Sequence, residues 1–161
     1  MTRYSRRNIY ALLVFLAAVF LTAAVGGLFT GPNVEPMYQQ VNRPGWAPPG
    51  WLFGPVWTVL YILIAVSGWL VWINGKPGSR RLPMSLYTAQ LLLNGFWTLL
   101  YFKLRLPWLA LLDIAALFFI ILACIFSFRR VSPAAAVMMV PYALWTGFAA
   151  WLNFSIAKLN F

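Results

Sequence analysis

Five long stretches of the chain are almost entirely apolar, and the charged residues are concentrated in the segments between them. The stretches cover residues 9–29, 51–73, 82–102, 106–128 and 133–156, and only the fourth holds an acidic residue, Asp113. Each can cross about 30 Å of hydrocarbon at ~1.5 Å per residue. The apolar residues are continuous rather than alternating, which favours helices over a β-barrel. The pattern therefore predicts an all-α membrane protein, residues 1–161 forming a single domain built as a five-transmembrane-helix bundle.

The connections between these stretches are short, except for the first. Residues 30–50 contain five prolines and three glycines, and this composition predicts an irregular loop. Short connections join antiparallel neighbours, so we expect one bundle without a linker. The chain shows no convincing internal repeat, which argues against an inverted-repeat transporter.

The composition agrees with a protein that folds in a bilayer. Apolar residues make up 63% of the 161 residues and charged residues only 9%, against about 25% charged residues in soluble domains. The sequence has no His and a single Cys, Cys124, which excludes a Ser-His-Asp triad, a His ligand for haem or zinc, and a disulfide. The sequence therefore predicts no metal site. The functions that remain are ligand binding and chemistry that the bound ligand itself carries out.

The net charge of +10 would suggest nucleic-acid binding in a soluble protein, but basic loops set the orientation of a membrane protein. The side of the N-terminus carries eight of the 12 basic residues: Arg3, Arg6, Arg7, Lys76, Arg80, Arg81, Arg129 and Arg130. The positive-inside rule thus predicts a multi-pass integral membrane protein with a cytoplasmic N-terminus and no nucleic-acid partner. The short basic N-terminus lacks the features of a transit peptide, which favours a bacterial membrane.

The residues Ser5, Arg6 and Arg7 before the first stretch resemble a twin-arginine export signal, with residues 22–24 as a cleavage site. The alternative is a retained first helix that basic residues anchor. Because the apolar stretch continues to residue 29 and four more follow, we favour the retained helix.

Polar residues inside the stretches are few, so each is a candidate for function. Gln90 and Asn94 lie four residues apart and therefore share a helix face, and Asn153 lies late in the fifth stretch. Such amides need a partner in hydrocarbon, on another helix or on a ligand. Asp113 is either a functional group, as intramembrane charges usually are, or a structural partner of Arg105.

Two aromatic stripes each follow one helix face. Phe53, Trp57 and Tyr61 occur at intervals of four in the second stretch, and Pro55 between them should bend the helix. Trp57 and Trp145 lie well inside their stretches, unlike the Trp residues of an interfacial belt. The stripes fit either ordinary core packing or a flat apolar ligand that stacks on the rings. The second stripe consists of Tyr142, Trp145, Ala149 and Leu152.

Several spaced motifs resemble those of the TspO/MBR family. This family comprises the tryptophan-rich sensory proteins and the translocator proteins, which are also called peripheral-type benzodiazepine receptors. They occur in the family's order: YQQVNRPGWAPP at 38–49, QLLLNGFW at 90–97, RVSP at 130–133 and PYALW at 141–145. Asp113 also falls where the family has an acidic residue. The resemblance covers nearly the whole chain, and the order of its motifs makes it specific.

The resemblance implies a five-helix bundle, usually a homodimer, that binds porphyrins such as protoporphyrin IX between its helices under the first loop. Animal members bind sterols and synthetic drugs. It implies a ligand and no cofactor, and the expected partners are an apolar small molecule, the lipid bilayer and a second copy of the chain. The ligand-binding residues that it predicts are Phe53, Trp57, Tyr61, Asn94, Trp97, Tyr142, Trp145, Ala149 and Leu152.

Three functions are compatible with these features. The favoured one is a porphyrin-binding sensor, regulator or transporter. An alternative is a light-dependent porphyrin-degrading enzyme, in which the ligand supplies the excited state and Trp57 and Trp145 are the catalytic residues. A proton-coupled exporter centred on Asp113 is the least favoured, because the chain has no repeat and no second acidic residue in its stretches.

Three positions depart from the family's pattern. Met37 stands where the first loop usually has Trp, which removes one aromatic contact, and Arg43 replaces Lys conservatively. Phe154 takes the place of the Tyr in a short sterol motif near the end of the fifth stretch, a weak pattern even when intact. We therefore do not expect specific sterol binding.

Overall fold

The computed structural model describes residues 6–30, 36 and 39–161. A 3₁₀ turn, Gly50–Leu52, leads into the second long helix, and a π-helical turn, Leu99–Lys103, continues the third. The predicted all-α class and the five long helices are confirmed within the described residues. These helices are α1 (Arg6–Thr30), α2 (Phe53–Asn74), α3 (Arg81–Thr98), α4 (Pro107–Phe128) and α5 (Pro133–Asn160).

Within the described ranges, four helical segments are long and apolar enough to cross a membrane: Asn8–Thr30, Gly50–Asn74, Pro107–Phe128 and Pro133–Asn160. The five predicted spans are therefore supported for four helices and not for α3. The reason lies in its composition, since its 18 residues include Arg81, Gln90 and Asn94. The apolar residues that follow it belong to the π-helical turn.

Prolines begin two of the helices. Pro107 and Pro133 open α4 and α5, at a position where the missing N–H costs no hydrogen bond and the fixed φ is already helical. Ser132 caps α5, because its Oγ accepts a hydrogen bond from the Ala135 N–H at 3.5 Å. Pro55, where the sequence predicts a bend, lies in the first turn of α2, a place where a proline interrupts few hydrogen bonds of the helix.

The helices pack in a ring whose order differs from their order in the sequence. α1 packs against α2, α2 against α5, α5 against α4, α4 against α3, and α3 against α1. α2 and α3 make few contacts although a short turn joins them. The space between α2 and α3 is therefore left for side chains that line cavities, and the candidate site lies there.

Candidate ligand-binding site

An aromatic cavity, cavity A, lies between α2, the end of α3 and α5. Its volume is only about 20 Å³, close to the room that one water molecule needs. Apart from one amide and the polar edges of a Trp and a Tyr, its wall is apolar. The lining residues are Val41, Phe53, Trp97, Tyr101, Phe102, Ala149, Leu152, Asn153 and Ile156.

A second cavity, cavity B, lies on the other side of the same aromatic rings, toward α1. Its volume is about 140 Å³. Phe53, Trp97 and Phe102 line both cavities, so these three rings form the wall between them. The remaining lining residues of cavity B are Ala23, Gly26, Gly27, Thr30, Gly54, Trp57, Tyr61 and Thr98.

The π-helical turn explains why several rings converge on this wall. In an α-helix, residues four apart share a face, which would place Trp97 with Tyr101 but turn Phe102 away. A π turn is wider, and the one at Leu99–Lys103 brings Phe102 round to the same side. Trp97 stacks on Tyr101 with the ring centroids 5.2 Å apart and meets Phe102 edge-on at 5.7 Å.

A hydrogen-bonded chain joins three helices beside cavity B. The Tyr61 hydroxyl donates to Asn94 Oδ1 at 2.9 Å, and Asn94 Nδ2 donates to the Tyr142 hydroxyl at 3.0 Å. Tyr142 is fully buried, and its ring lies 6.1 Å from that of Trp57. The amide of Asn94 therefore has partners on both α2 and α5, and the chain fixes the spacing of these helices.

A second buried amide holds the shared wall. The Trp97 indole N–H donates to Asn153 Oδ1 at 3.3 Å, and Asn153 Nδ2 donates to the Pro107 carbonyl at 2.9 Å. This arrangement ties the ring of Trp97 to α5 and to the start of α4. Gln90 differs, because it is fully buried and neither of its amide atoms has a hydrogen-bond partner among the described residues.

The two interior tryptophans lie in different places. Trp57 lines cavity B, whereas Trp145 lines a wide groove between α2 and α5 that opens to the outside of the bundle. The Trp145 ring reaches the site only through Phe53, with the ring centroids 5.8 Å apart. Its indole nitrogen is buried and has no hydrogen-bond partner among the described residues. One shared pocket for both rings is therefore not present in this conformation.

The described second half of the first loop, residues 39–49, lies beside the site. Val41 lines cavity A, and the ring of Trp46 contacts Phe148 on α5 with the centroids 5.9 Å apart. Phe148 in turn contacts Trp145 at 5.4 Å. A continuous set of aromatic contacts thus runs from this loop to Phe53 in the shared wall.

Asp113 lies away from these cavities, half-buried in α4. Its Oδ2 atom is buried and has no hydrogen-bond partner among the described residues. The structure shows no ion pair between Asp113 and Arg105, and the Arg105 guanidinium donates to Gln40 Oε1 at 3.1 Å. Neither cavity is lined by Asp113.

Comparisons with known proteins agree with this architecture. A sequence profile of the TspO/MBR family matches residues 13–159. The chain belongs to the TspO/MBR family. It is 38% identical to the tryptophan-rich protein TspO of Archaeoglobus fulgidus, over 95% of this chain and 99% of that protein. It is 33% identical to the human translocator protein, over 91% and 88% of the two chains, and 32% identical to the tryptophan-rich sensory protein of Cereibacter sphaeroides, over 92% and 90%.

Two of the TspO/MBR motifs found in the sequence supply residues that line the cavities or lie beside them. The motif at 90–97 supplies Asn94 and Trp97, and the motif at 141–145 supplies Tyr142 and Trp145. Of the departures from the TspO/MBR pattern, Met37 lies outside the described residues. Phe154 packs against Trp108 and Trp151 outside the two cavities.

Most of the residues predicted from the sequence lie at the cavities, and several lining residues were missed. Phe53 and Trp97 line both cavities, Ala149 and Leu152 line cavity A, and Trp57 and Tyr61 line cavity B. Phe102 was missed because helical periodicity does not foresee a π turn, whereas Tyr101 follows Trp97 by four residues and that spacing could have indicated it. For Asn153, a polar side chain within an apolar stretch was the one sequence feature that indicated a position inside the bundle. The lining residues that were not predicted are Ala23, Gly26, Gly27, Thr30, Val41, Gly54, Thr98, Tyr101, Phe102, Asn153 and Ile156.

Proposed function

We propose that the protein binds tetrapyrroles such as protoporphyrin IX between its helices and acts as a sensor, regulator or transporter of these molecules. The observation that carries the proposal is the wall of three rings, Phe53, Trp97 and Phe102, which two adjacent cavities share. Flat aromatic ligands bind by stacking and edge contacts with such rings. The few amides near the wall supply polar anchors, as in other apolar ligand sites.

Binding of a tetrapyrrole requires the two cavities to merge. Sites for drug-sized ligands have volumes of roughly 300–1,000 Å³, whereas cavities A and B hold about 20 and 140 Å³. Rotation of Phe53 and Phe102 away from Trp97 joins the two spaces and releases the volume that the rings fill. The ligand then replaces ring–ring contacts within the protein by contacts with its own π-system, so that the apolar surface stays buried.

The names of relatives in the family bear on the choice between sensing, transport and catalysis. Relatives are named tryptophan-rich sensory protein and translocator protein, which suits binding followed by signalling or transfer. Neither cavity is lined by a carboxylate or a basic side chain. The lining side chains therefore suit the binding of a flat apolar ligand. They do not include the carboxylate or basic groups that general acid–base chemistry uses.

We also propose that α3 crosses the bilayer as the fifth span. Its helical path continues through the π turn to Lys103, and its polar groups Asn94 and Trp97 are bonded to other helices. A polar group that is satisfied inside the bundle no longer opposes insertion. With five spans, the basic turns around Lys76 and Arg129 share the cytoplasmic side with the N-terminus. The proximity of these turns supports this arrangement, since a Cβ atom added at Gly75 would lie 3.1 Å from Val131 Cγ1.

The test is a titration of the detergent-solubilised protein with protoporphyrin IX, followed by the shift of the Soret band and by quenching of Trp fluorescence. We compare Trp97→Leu, in the shared wall, with Trp151→Leu on the outer face of α5, where Trp151 is 60% exposed. Loss of the Trp97 ring should weaken binding by roughly 10-fold, and loss of the Trp151 ring should leave the Kd unchanged. The proposal fails if the wild type shows no saturable binding or if both variants bind like the wild type.

A further inference from the structure

The position of one ring in the shared wall, that of Phe102, depends on the π turn Leu99–Lys103. Phe102 is 5% exposed and lines both cavities. Its ring meets those of Trp97 and Tyr101 edge-on, with the centroids 5.7 and 5.1 Å apart. The indole of Trp97 is tied to Asn153 by a hydrogen bond, whereas a phenyl ring has no polar atom and is held by packing alone. Phe102 is therefore the member of the wall that a change of the backbone can release.

The hydrogen bonds at the end of the π turn span more residues than those of an α-helix. The Leu104 N–H donates to the Leu99 carbonyl at 3.0 Å. The Leu106 N–H donates to the Leu100 carbonyl, also at 3.0 Å. These bonds reach back five and six residues, against four in an α-helix. The turn thus contains one residue more than an α-helical ending at the same place would use.

The same two donors also find partners when the turn is wound as an α-helix. The Leu104 N–H then meets the Leu100 carbonyl, its acceptor in an α-helix. The Leu106 N–H moves to the Tyr101 carbonyl, the acceptor that is usual after a left-handed residue at a helix end. Arg105 already has the left-handed conformation that this ending requires, with a φ of 55°. Neither donor loses its hydrogen bond, so side-chain packing decides which of the two registers is populated.

The helix is loosened directly before the turn, and the chain is fixed directly after it. The Thr98 hydroxyl donates to the Gly95 carbonyl at 2.7 Å, and the Leu99 N–H is shared between two carbonyls of the preceding turn. Side-chain hydrogen bonds of this kind compete with the helical ones. At the other end, the Pro107 carbonyl accepts a hydrogen bond from α5 at 2.9 Å. A change of register is therefore confined to residues 99–106.

We propose that the π turn is a gate, whose π register keeps cavities A and B apart and whose α register joins them. An α-helix turns by about 100° per residue and a π turn by less. Winding the turn as an α-helix therefore carries Phe102 further round the axis and away from Trp97. This inference rests on the proposed function and adds the regulation of the same site. A tetrapyrrole that fills the joined cavity binds only the α register, so it shifts the population toward that register.

Removal of the gate should accelerate ligand binding. Phe102→Ala removes the ring and keeps the turn. Deletion of Leu104 instead removes the extra residue and places Leu106 five residues after Leu100, as an α-helical ending requires. Each variant is mixed with protoporphyrin IX in a stopped-flow instrument, and quenching of Trp fluorescence gives the association rate constant. Both variants should raise it by on the order of 10-fold, because a minor open state typically has a population of ~10% or less.

The combination of the two changes distinguishes one gate from two separate effects. Because both remove the same barrier, the double variant should bind no faster than the faster single variant. Phe96→Ala is the matched control on the same helix, where the ring is 52% exposed, and it should leave the rate constant unchanged. A normal rate constant in Phe102→Ala, or accelerations that multiply in the double variant, overturns the gate and leaves the proposed function standing. Failure of the wild type to bind protoporphyrin IX overturns both.

A second measurement does not depend on the folding of the deletion variant. Phe102 is replaced by 4-fluorophenylalanine, with the same label at Phe96 as the control, and ¹⁹F relaxation dispersion is recorded without ligand. The fluorine lies on the axis of ring flips, so flips alone do not contribute. Exchange between the two registers should appear on the microsecond-to-millisecond timescale at Phe102 and be absent at Phe96. A label at Phe102 without such exchange overturns the gate.

Discussion

The side-chain amide of Asn160 forms two hydrogen bonds with the backbone of Asn42. Asn160 Oδ1 accepts from the Asn42 N–H at 2.7 Å, and Asn160 Nδ2 donates to the Asn42 carbonyl at 2.9 Å. Both the backbone N–H and the backbone carbonyl of Asn42 are therefore bonded to the side chain of the last residue of α5. Because the adjacent Val41 lines cavity A, this pair holds the loop against the candidate site.

Asn160→Ala should loosen the loop and speed ligand exchange. The change removes both hydrogen bonds to Asn42, each with a net contribution of about 1 kcal/mol. We expect faster amide hydrogen exchange in residues 39–49 and a several-fold increase of both the association and the dissociation rate constants of protoporphyrin IX. Exchange is measured by mass spectrometry and the rate constants by stopped-flow fluorescence.

Asn74→Ala is the control for the loop, since Asn74 ends α2 at the other side of the bundle and donates to the Leu70 carbonyl of its own helix. It should leave both rate constants as they are. Unchanged exchange of the Val41 and Asn42 amides in Asn160→Ala would show that the pair does not restrain the loop.

Gly68→Ala should destabilise the protein, because Gly68 is a point of close approach between three helices. A Cβ atom there would lie 2.6 Å from Tyr87 Cε2 and 2.8 Å from Phe15 Cδ1. The ring of Tyr87 is buried, and its hydroxyl donates to the Ile64 carbonyl at 3.3 Å, so it has little room to move. Overpacking of this kind costs about 1–3 kcal/mol, and thermal unfolding should show a lower Tm.

Gly27→Ala provides the comparison in another helix. A Cβ atom at Gly27 would meet nothing within 4 Å, and Ala is the better helix former by about 1 kcal/mol. Its Tm should equal or exceed that of the wild type. A Gly68→Ala protein as stable as Gly27→Ala would contradict the tight packing of α1, α2 and α3.

The five long helices follow from the sequence because a bilayer demands uninterrupted apolar segments of about 20 residues. Their ring order does not. A helix that is apolar all round has no polar face to reveal its neighbours. Helix α2 packs more extensively against α5 than against α3, in part through small polar groups such as Ser67, which donates to the Ala135 carbonyl at 2.8 Å. Such pairings depend on distant parts of the chain.

The candidate site was predictable to the extent that its residues repeat with the helical period or match family motifs. Phe53, Trp57 and Tyr61 illustrate the first case, and Trp97 the second. Phe102 was hidden by the π turn, and the contact between Arg105 and Gln40 joins residues 65 positions apart. Trp145 lines the groove between α2 and α5, since a position well inside a helix does not decide whether a ring faces the interior of the bundle or a groove on its outside.

Asp113→Asn should raise the Tm at neutral pH and leave porphyrin binding unchanged. The side chain is half-buried in α4, and its Oδ2 has no hydrogen-bond partner in the part of the chain that the structure describes, so a charge there is a cost that a neutral amide of the same shape avoids. Because Asp113 lines neither aromatic cavity, the Kd should not move. A loss of ligand binding or of porphyrin uptake into vesicles in this variant would instead place Asp113 in the functional machinery.

Light-dependent loss of a bound porphyrin, if the protein promotes it, should depend on Trp57 more than on Trp145. Trp57 lines cavity B and can contact the bound ring directly, whereas Trp145 is separated from it by Phe53, whose ring centroid is 5.8 Å away. The measurement is the decay of the Soret band under illumination of equimolar protein and protoporphyrin IX. Trp57→Phe should slow the decay several-fold, Trp145→Phe should slow it less, and Trp151→Phe should not change it. Identical decays in all four proteins would mean that the porphyrin bleaches without an electron from these tryptophans, and the site would then be one for binding alone.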